Sequence, residues 1–250
     1  MLLCVLWVDW KAVSWEEFHI HLAARQAKPA RVARCGRRAP AGRYGAARGS
    51  RARRGTLLTP HGRVETPVFM AVGTRATVTG FGPPDLAEIG VQVVLGNTYH
   101  LMLRPGIEVF RKFGGIHRFM NWPGAVLTDS GGFQIFSLAQ SRKMTEAGAE
   151  FRSYVDGKYI LLSPEVSIEV QTAIGSEIMM VLDQCIDSTA PEPAARAAME
   201  LTHRWAKRSL AARGSSEQAL FGIVQGACYP HLRRESADVL TSQDFDGFAI

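Results

Sequence analysis

The chain has 250 residues, 46% of them hydrophobic, and a formal net charge of +6, enough for one sizeable core or most of one large α/β domain. Its four cysteines, Cys4, Cys35, Cys185 and Cys228, form no C-x-x-C pair, which argues against a zinc cluster and fits a reducing compartment better than a disulfide scaffold. The basic total does not mark a nucleic-acid binder either: residues 1–54 hold twelve Lys+Arg against three Asp+Glu, and the rest is net acidic by three.

The chain opens on "MLLCVLWVDW", whose eight leading apolar residues are too few to span a bilayer and lack a positively charged start or a clear cleavage site. The run "ARVARCGRRAPAGRYGAARGSRARRG" has no apolar period and cannot bury enough surface to offset its ordering entropy. Residues 1–50 are expected to be a disordered or misassigned Arg/Ala/Gly-rich extension. An Arg-rich targeting peptide is the next reading, with Asp9, Glu16 and Glu17 counting against it. An RNA-touching arm, on charge alone, is the third.

A folded unit is expected over 51–250, with strand and helix patterns alternating from about Arg54. "VETPVFMAVG" reads as a strand running into a loop, "PPDLAEIG" as a short helix with a glycine stop, and "VQVVLGNTYH" as a buried strand ending on polar residues. "GIEVFRKFGGIHRFMNW" is helical and broken at Gly114-Gly115, and "GAVLTDSGG" is the third strand. An insertion follows in which Asp156-Gly157, between "FRSYV" and "KYILL", signals a hairpin projecting from the body. Ser163 as N-cap, Pro164 and Glu165 start the next helix. "IMMVLDQC", the helix "APEPAARAAMELTHRWAKRSLAARG", "ALFGIVQG", the helix "HLRRESADVLTSQ" and "FDGFAI" complete the pattern.

Strands apolar throughout that alternate with helices imply a parallel sheet covered on both faces. A closed (β/α)8 barrel and an open doubly wound sheet both fit. No G-x-G-x-x-G opens the first helix, so a dinucleotide fold has no support. The α/β reading preferred is an incomplete (β/α)8 TIM barrel, with about five to six of eight strands and a hairpin insertion after the third.

Successive strand ends carry Asn97, Asp129, Asp183 and Gln225, and in a barrel these ends converge on one mouth. Asp129 followed by Ser130-Gly131-Gly132 is also an ordinary turn composition, and Asp183 after "MMVL" could serve as a cap or ion-pair partner. Taken together, two acids, a carboxamide, the aromatic Phe133 and glycines at one mouth suit a planar, hydrogen-bonding heterocycle such as a purine.

The segments "RRGTLLTPHGRVETPVFMAVGTRATV", "LGNTYHLMLRPG", "HRFMNWPGAVLTDSGGFQIFSL", "FRSYVDGKYILLSPE" and "ALFGIVQG" resemble bacterial-type tRNA-guanine transglycosylase, over roughly residues 51–250. The resemblance implies a (β/α)8 barrel and a soluble, cytoplasmic, homodimeric enzyme with a structural Zn2+. It also implies exchange of the wobble guanine of GUN-anticodon tRNA for preQ1 or a related 7-deazaguanine, through a covalent Asp–ribose intermediate in queuosine biosynthesis. By matching position, Asp129 is the general acid/base, Phe133 stacks on the base, Asp183 reads its N–H edge and Gln225 its carbonyl. Ser130, Gly131 and Gly132 line the pocket, and Asn97 lies close to the nucleophile. The nucleophilic aspartate and the three-Cys, one-His zinc set are expected past Ile250, so no metal ligand is assigned and this chain alone is expected to be inactive. Gln184 and Ala71 depart from the family pattern, standing where Glu and Pro are expected. A non-catalytic accessory subunit and an inactive fragment are the alternative readings.

Overall fold

A computed structural model describes Val32–Ala33 and residues 55–138 and 141–250. Apart from its two-residue strand β1 (Val32–Ala33), the extension over 1–50 lies outside the described residues.

An antiparallel hairpin comes first, β2 (Gly55–Thr59) and β3 (Gly62–Thr66), with β1 paired to β2. The expected strand "VETPVFMAVG" is therefore divided: Val64 to Thr66 belong to the hairpin, and a cis Thr66-Pro67 bond separates them from β4 (Met70–Val72). Proline lacks the N–H that a continuous ladder needs at this point.

A six-stranded parallel sheet follows in the order β4, β5 (Val93–Gly96), β6 (Ala125–Thr128), β10 (Ile178–Met180), β11 (Ala219–Ile223) and β12 (Gly247–Ala249). The described strands join in chain order without a reversal, so none of them forms the switch point of a doubly wound sheet. Alternate residues face opposite ways along each strand. Val93, Leu95, Ala125, Leu127, Ile178 and Ala219 pack in one cluster with Val64 and Leu57 of the hairpin. The hairpin thus covers the apolar inner face. Val94, Val126, Met179 and Leu220 point the other way, into two clusters built with the helices. Burial on both faces is why these strands read as unbroken apolar runs.

The helices on the outer face are α1 (Pro83–Glu88), α3 (Ile107–Phe113), α4 (Ile116–Met120), α6 (Pro164–Ile174), α7 (Glu192–Arg213) and α8 (Pro230–Thr241). The helix start at Ser163 forms as the sequence indicates: its side chain accepts from the Val166 N–H at 3.2 Å. Gly114 ends α3 in the left-handed region at φ 74°, which places the helix break at the glycine pair.

Two short helices differ from expectation. Asn97-Thr98-Tyr99-His100 does not end a strand; β5 stops at Gly96, Asn97 takes the N-cap position and α2 (Thr98–Leu103) begins. The glycines after Asp129 lead into α5 (Gly132–Leu138). The insertion is a three-stranded antiparallel sheet, β7 (Arg142–Met144), β8 (Ala149–Arg152) and β9 (Tyr159–Leu162), with Asp156-Gly157 in a six-residue loop between β8 and β9. It does not stand free of the body. Ala149, Phe151 and Leu162 are fully buried against Tyr99, Ile135, Leu182 and Trp205, while Tyr159 on the same sheet is 77% exposed.

Candidate active site

The residues expected at the strand ends do lie at one end of the parallel sheet. Asn97 follows β5, Asp129 follows β6, Asp183 lies just past β10 and Gln225 just past β11.

Asp129 is held from three sides. The Asn97 amide donates to Oδ2 at 2.6 Å, Gln134 of α5 donates to the same oxygen at 2.9 Å, and the backbone N–H of Thr98 donates to Oδ1 at 2.7 Å. The Thr98 hydroxyl also donates to the Asp129 carbonyl at 2.6 Å. The first turn of α2 therefore closes on the end of β6. Asp183, 5% exposed, accepts from Ser130 Oγ at 2.7 Å and from Gln225 Nε2 at 2.8 Å, with the Cys185 thiol 3.3 Å from Oδ2. Ser130 is thus the link between the two acids, adjoining Asp129 in sequence and bonding Asp183 in space.

A splay between two strands makes room for this pair. β6 and β10 share a single register pair, Ile178 with Leu127. Beyond it the fully buried Gln171 of α6 takes the place of a strand: its Oε1 accepts from Met180 N at 2.8 Å and its Nε2 donates to Met180 O at 2.9 Å. Gln171 Oε1 also accepts from the Thr128 hydroxyl at 3.0 Å, and Ser167 donates to the Ser130 carbonyl at 2.9 Å. One face of α6 so fixes the ends of both acid-bearing strands.

The glycines are explained by close packing. A Cβ on Gly132 would lie 2.5 Å from the Asp183 carbonyl, and one on Gly131, at φ +84°, would meet Leu162 and the Tyr99 backbone. Both glycines are buried among protein atoms. Phe133, half-buried in the first turn of α5, has its ring 6.5 Å from that of Phe136. The Gln225 backbone N–H donates to Ser236 Oγ at 3.1 Å, and Ser236 pairs with His203 Nε2 at 2.9 Å.

Burial pushes the Asp129 carboxyl up from its ordinary 3.8 to about 6, against the lowering effect of its three donors and with the Asp183 charge adding to the rise. Asp183 is likewise raised by burial, opposed by Ser130, Cys185 and Gln225. A carboxyl poised near neutrality can give up a proton and take one back.

Sequence reading missed the supports of this site: Thr98, Gln134, Ser167, Gln171, Cys185 and Ser236. Gln134 and Cys185 stand close in sequence to the two acids, and that proximity is the one available signal. The others come from distant segments that only the fold brings near.

The fold and site define an α/β protein with paired carboxyls and a carboxamide at the carboxyl ends of a parallel sheet, a recurrent place for small-ligand chemistry. Residues 48–250 match the family model described as queuine tRNA-ribosyltransferase. The chain is 54% identical over 201 residues to a queuine tRNA-ribosyltransferase of Dehalococcoides mccartyi, covering 80% of this chain and 51% of the relative. It is 56% identical over 199 residues to that of Thioalkalivibrio sulfidiphilus, covering 80% and 54%. With that of Caldanaerobacter subterraneus subsp. tengcongensis it shares 54% identity over 202 residues, again covering 80% and 54%. The chain belongs to the queuine tRNA-ribosyltransferase family, a family of transferases, and spans about half the length of the curated relatives it matches.

Proposed function

We propose that this chain carries the base-binding and acid/base part of a tRNA-guanine transglycosylase site, which exchanges the wobble guanine of GUN-anticodon tRNA for preQ1 or a related 7-deazaguanine. The observation that supports it most is the pairing of Asp129 and Asp183 through Ser130, with Gln225 on the second acid.

Breaking an N-glycosidic bond leaves its electron pair on the departing base and positive charge on the sugar. Protonated Asp129 donates to the leaving guanine as that pair arrives. The resulting carboxylate then takes an N–H proton from the incoming base, whose freed lone pair attacks ribose C1′ and displaces the enzyme carboxylate that held the sugar after guanine left. A carboxyl titrating at about 6 serves both half-reactions near neutral pH. Asp183 reads the N–H edge of the base. Gln225 gives one Nε2 hydrogen to Asp183, which leaves its second amide hydrogen for the base carbonyl. Phe133 supplies an aromatic face, Asn97 orients Asp129, and Ser130, Gly131 and Gly132 form the wall between the acids. The base must leave its stack in the tRNA to enter.

The remaining parts of the reading also belong to the proposal. Residues 51–250 are a partial (β/α)8 barrel to which the six parallel strands belong, residues 1–50 are an extension to it, and the protein is a cytoplasmic homodimer. No described helix is long and apolar enough to cross a membrane. The covalent nucleophile has no assigned counterpart here. The three-Cys, one-His zinc set does not fit the described residues: Cys185 is engaged with Asp183, Cys228 is exposed, and the one potential metal-ligating cluster among them contains no thiol. No step is routed through zinc.

The test is isothermal titration of this chain with guanine, alongside labelled-guanine incorporation into GUN-anticodon tRNA by a complete family member. Asp129→Asn should abolish incorporation, and Gln225→Ala should weaken guanine binding about tenfold or more with little change in stability. Asp129→Asn with parental incorporation refutes the acid/base role, and equal loss of binding and stability in Gln225→Ala assigns that residue to structure.

A further inference from the structure

At the other end of the sheet, away from Asp129 and Asp183, three side chains from distant segments meet. His61 lies in the turn between β2 and β3, His117 on α4, and Glu177 immediately before β10. His61 Nδ1 is 2.5 Å from Glu177 Oε1 and His117 Nε2 is 3.2 Å from Oε2, all three ligand atoms lying within 4.8 Å of one another. Glu177 is anchored independently: its Oε2 accepts from Val126 N at 2.6 Å, and its own N–H donates to Val126 O at 2.9 Å. Asp129 lies three residues beyond Val126, just past the end of β6, about 10 Å at roughly 3.3 Å per residue, so the cluster is separate from the site above.

We infer that His61, His117 and Glu177 form a divalent transition-metal site, best suited to Zn2+. Two imidazoles and a carboxylate are a set such ions take, with one position left to water. Bonds of about 2.0–2.2 Å at tetrahedral angles put ligand atoms about 3.3–3.5 Å apart, within the spread found here. The side chain of Glu177 is 4% exposed and its backbone-held carboxylate is a fixed anchor. The two imidazoles lie stacked, 3.6 Å apart and 8° from parallel, so their in-plane lone pairs do not yet converge. Ligation requires His61 to turn out of the stack. Its side chain is 39% exposed on a hairpin turn and has room to do so. His117 also borders an open cavity of about 470 Å3, with Pro84, Ala87 and Trp122. The bound ion would tie the hairpin that covers the inner face to one end of the sheet.

The test is titration of the EDTA-stripped full chain with Zn2+, followed by calorimetry, with Co2+ replacing Zn2+ as a spectroscopic probe. One Zn2+ per chain and a tetrahedral Co2+ absorption band are expected. His61→Ala, at an exposed position, should weaken Zn2+ binding roughly 10–100-fold and abolish the band, and Glu177→Gln should do likewise. The tail holds its own histidines, His19 and His21, and a His19→Ala/His21→Ala double variant should bind as the parent does. Loss of binding in that double variant, unchanged affinity in His61→Ala, or no uptake by the parent each overturns the assignment.

Discussion

Asp129 is the carboxyl on which the proposed chemistry turns, and its environment sets a cost. In the unfolded chain the group titrates near 3.8; in the fold it titrates at about 6. Between those values the folded state binds more protons than the unfolded one. The stability associated with Asp129 is therefore complete below about pH 4 and is lost as the pH rises through about 6. Asp129→Asn removes this titration. Its amide sets an NH2 group against at least one of the donors that Asp129 accepts from, a cost that does not change with pH and so cancels between two pH values. Relative to the parent, the variant should gain stability between pH 4 and pH 7.5, by at most about 3 kcal/mol and less because the side chain keeps an accessible edge. Urea denaturation at the two pH values measures this, and a difference that does not grow with pH contradicts the burial of the acid. The four polar strand ends were legible as candidates because an acid or amide after a buried apolar run is costly unless used. Gln134 and Thr98 were not, because their roles depend on α2 and α5 closing over the strand tips.

Those two helices show what local sequence withholds at the element scale. α2 is rich in aromatic and β-branched residues at its start, and α5 begins on glycine; both compositions score poorly as helix. α2 carries no side-chain cap that would announce it. They form because their buried faces, Tyr99 and Leu101 in one and Ile135 in the other, pack against the body. α6 is the opposite case, with its cap and proline visible in the sequence, yet its functional content was hidden: Gln171 replaces a strand between β6 and β10. Gln171→Leu keeps the volume and leaves the Met180 N–H and carbonyl without partners, at a cost of about 2–4 kcal/mol in unfolding free energy. A loss below about 0.5 kcal/mol, the range of surface substitutions, would show that Gln171 does not bridge the splay.

For the whole molecule, the alternation of apolar strands and helices gave the class, and the strand order now shows each strand adding beside the last. The hairpin of β2 and β3 was not legible because "GTLLTPHGRVET" has a Pro-His turn rather than an Asn-Gly or Asp-Gly one. Its inward Val64, 2% exposed, joins alternate residues of four strands in one cluster. Val64→Ala should therefore destabilise the chain by about 1–3 kcal/mol although the hairpin lies outside the parallel sheet. A near-neutral result in chemical denaturation would mean that the hairpin does not close the inner face. The insertion was visible as a hairpin, but its third strand and its buried side required knowledge of what α2, α5 and α7 present to it.

The central claim is that the tips of β6, β10 and β11 enclose one flat heterocycle, and a crystal structure of this chain soaked with guanine tests it most directly. The account predicts the purine with its N–H edge on Asp183, its carbonyl on Gln225 and Asp129 beside its imidazole ring. Ordered guanine bound elsewhere, or guanine at these tips whose N–H edge does not meet Asp183, would contradict it.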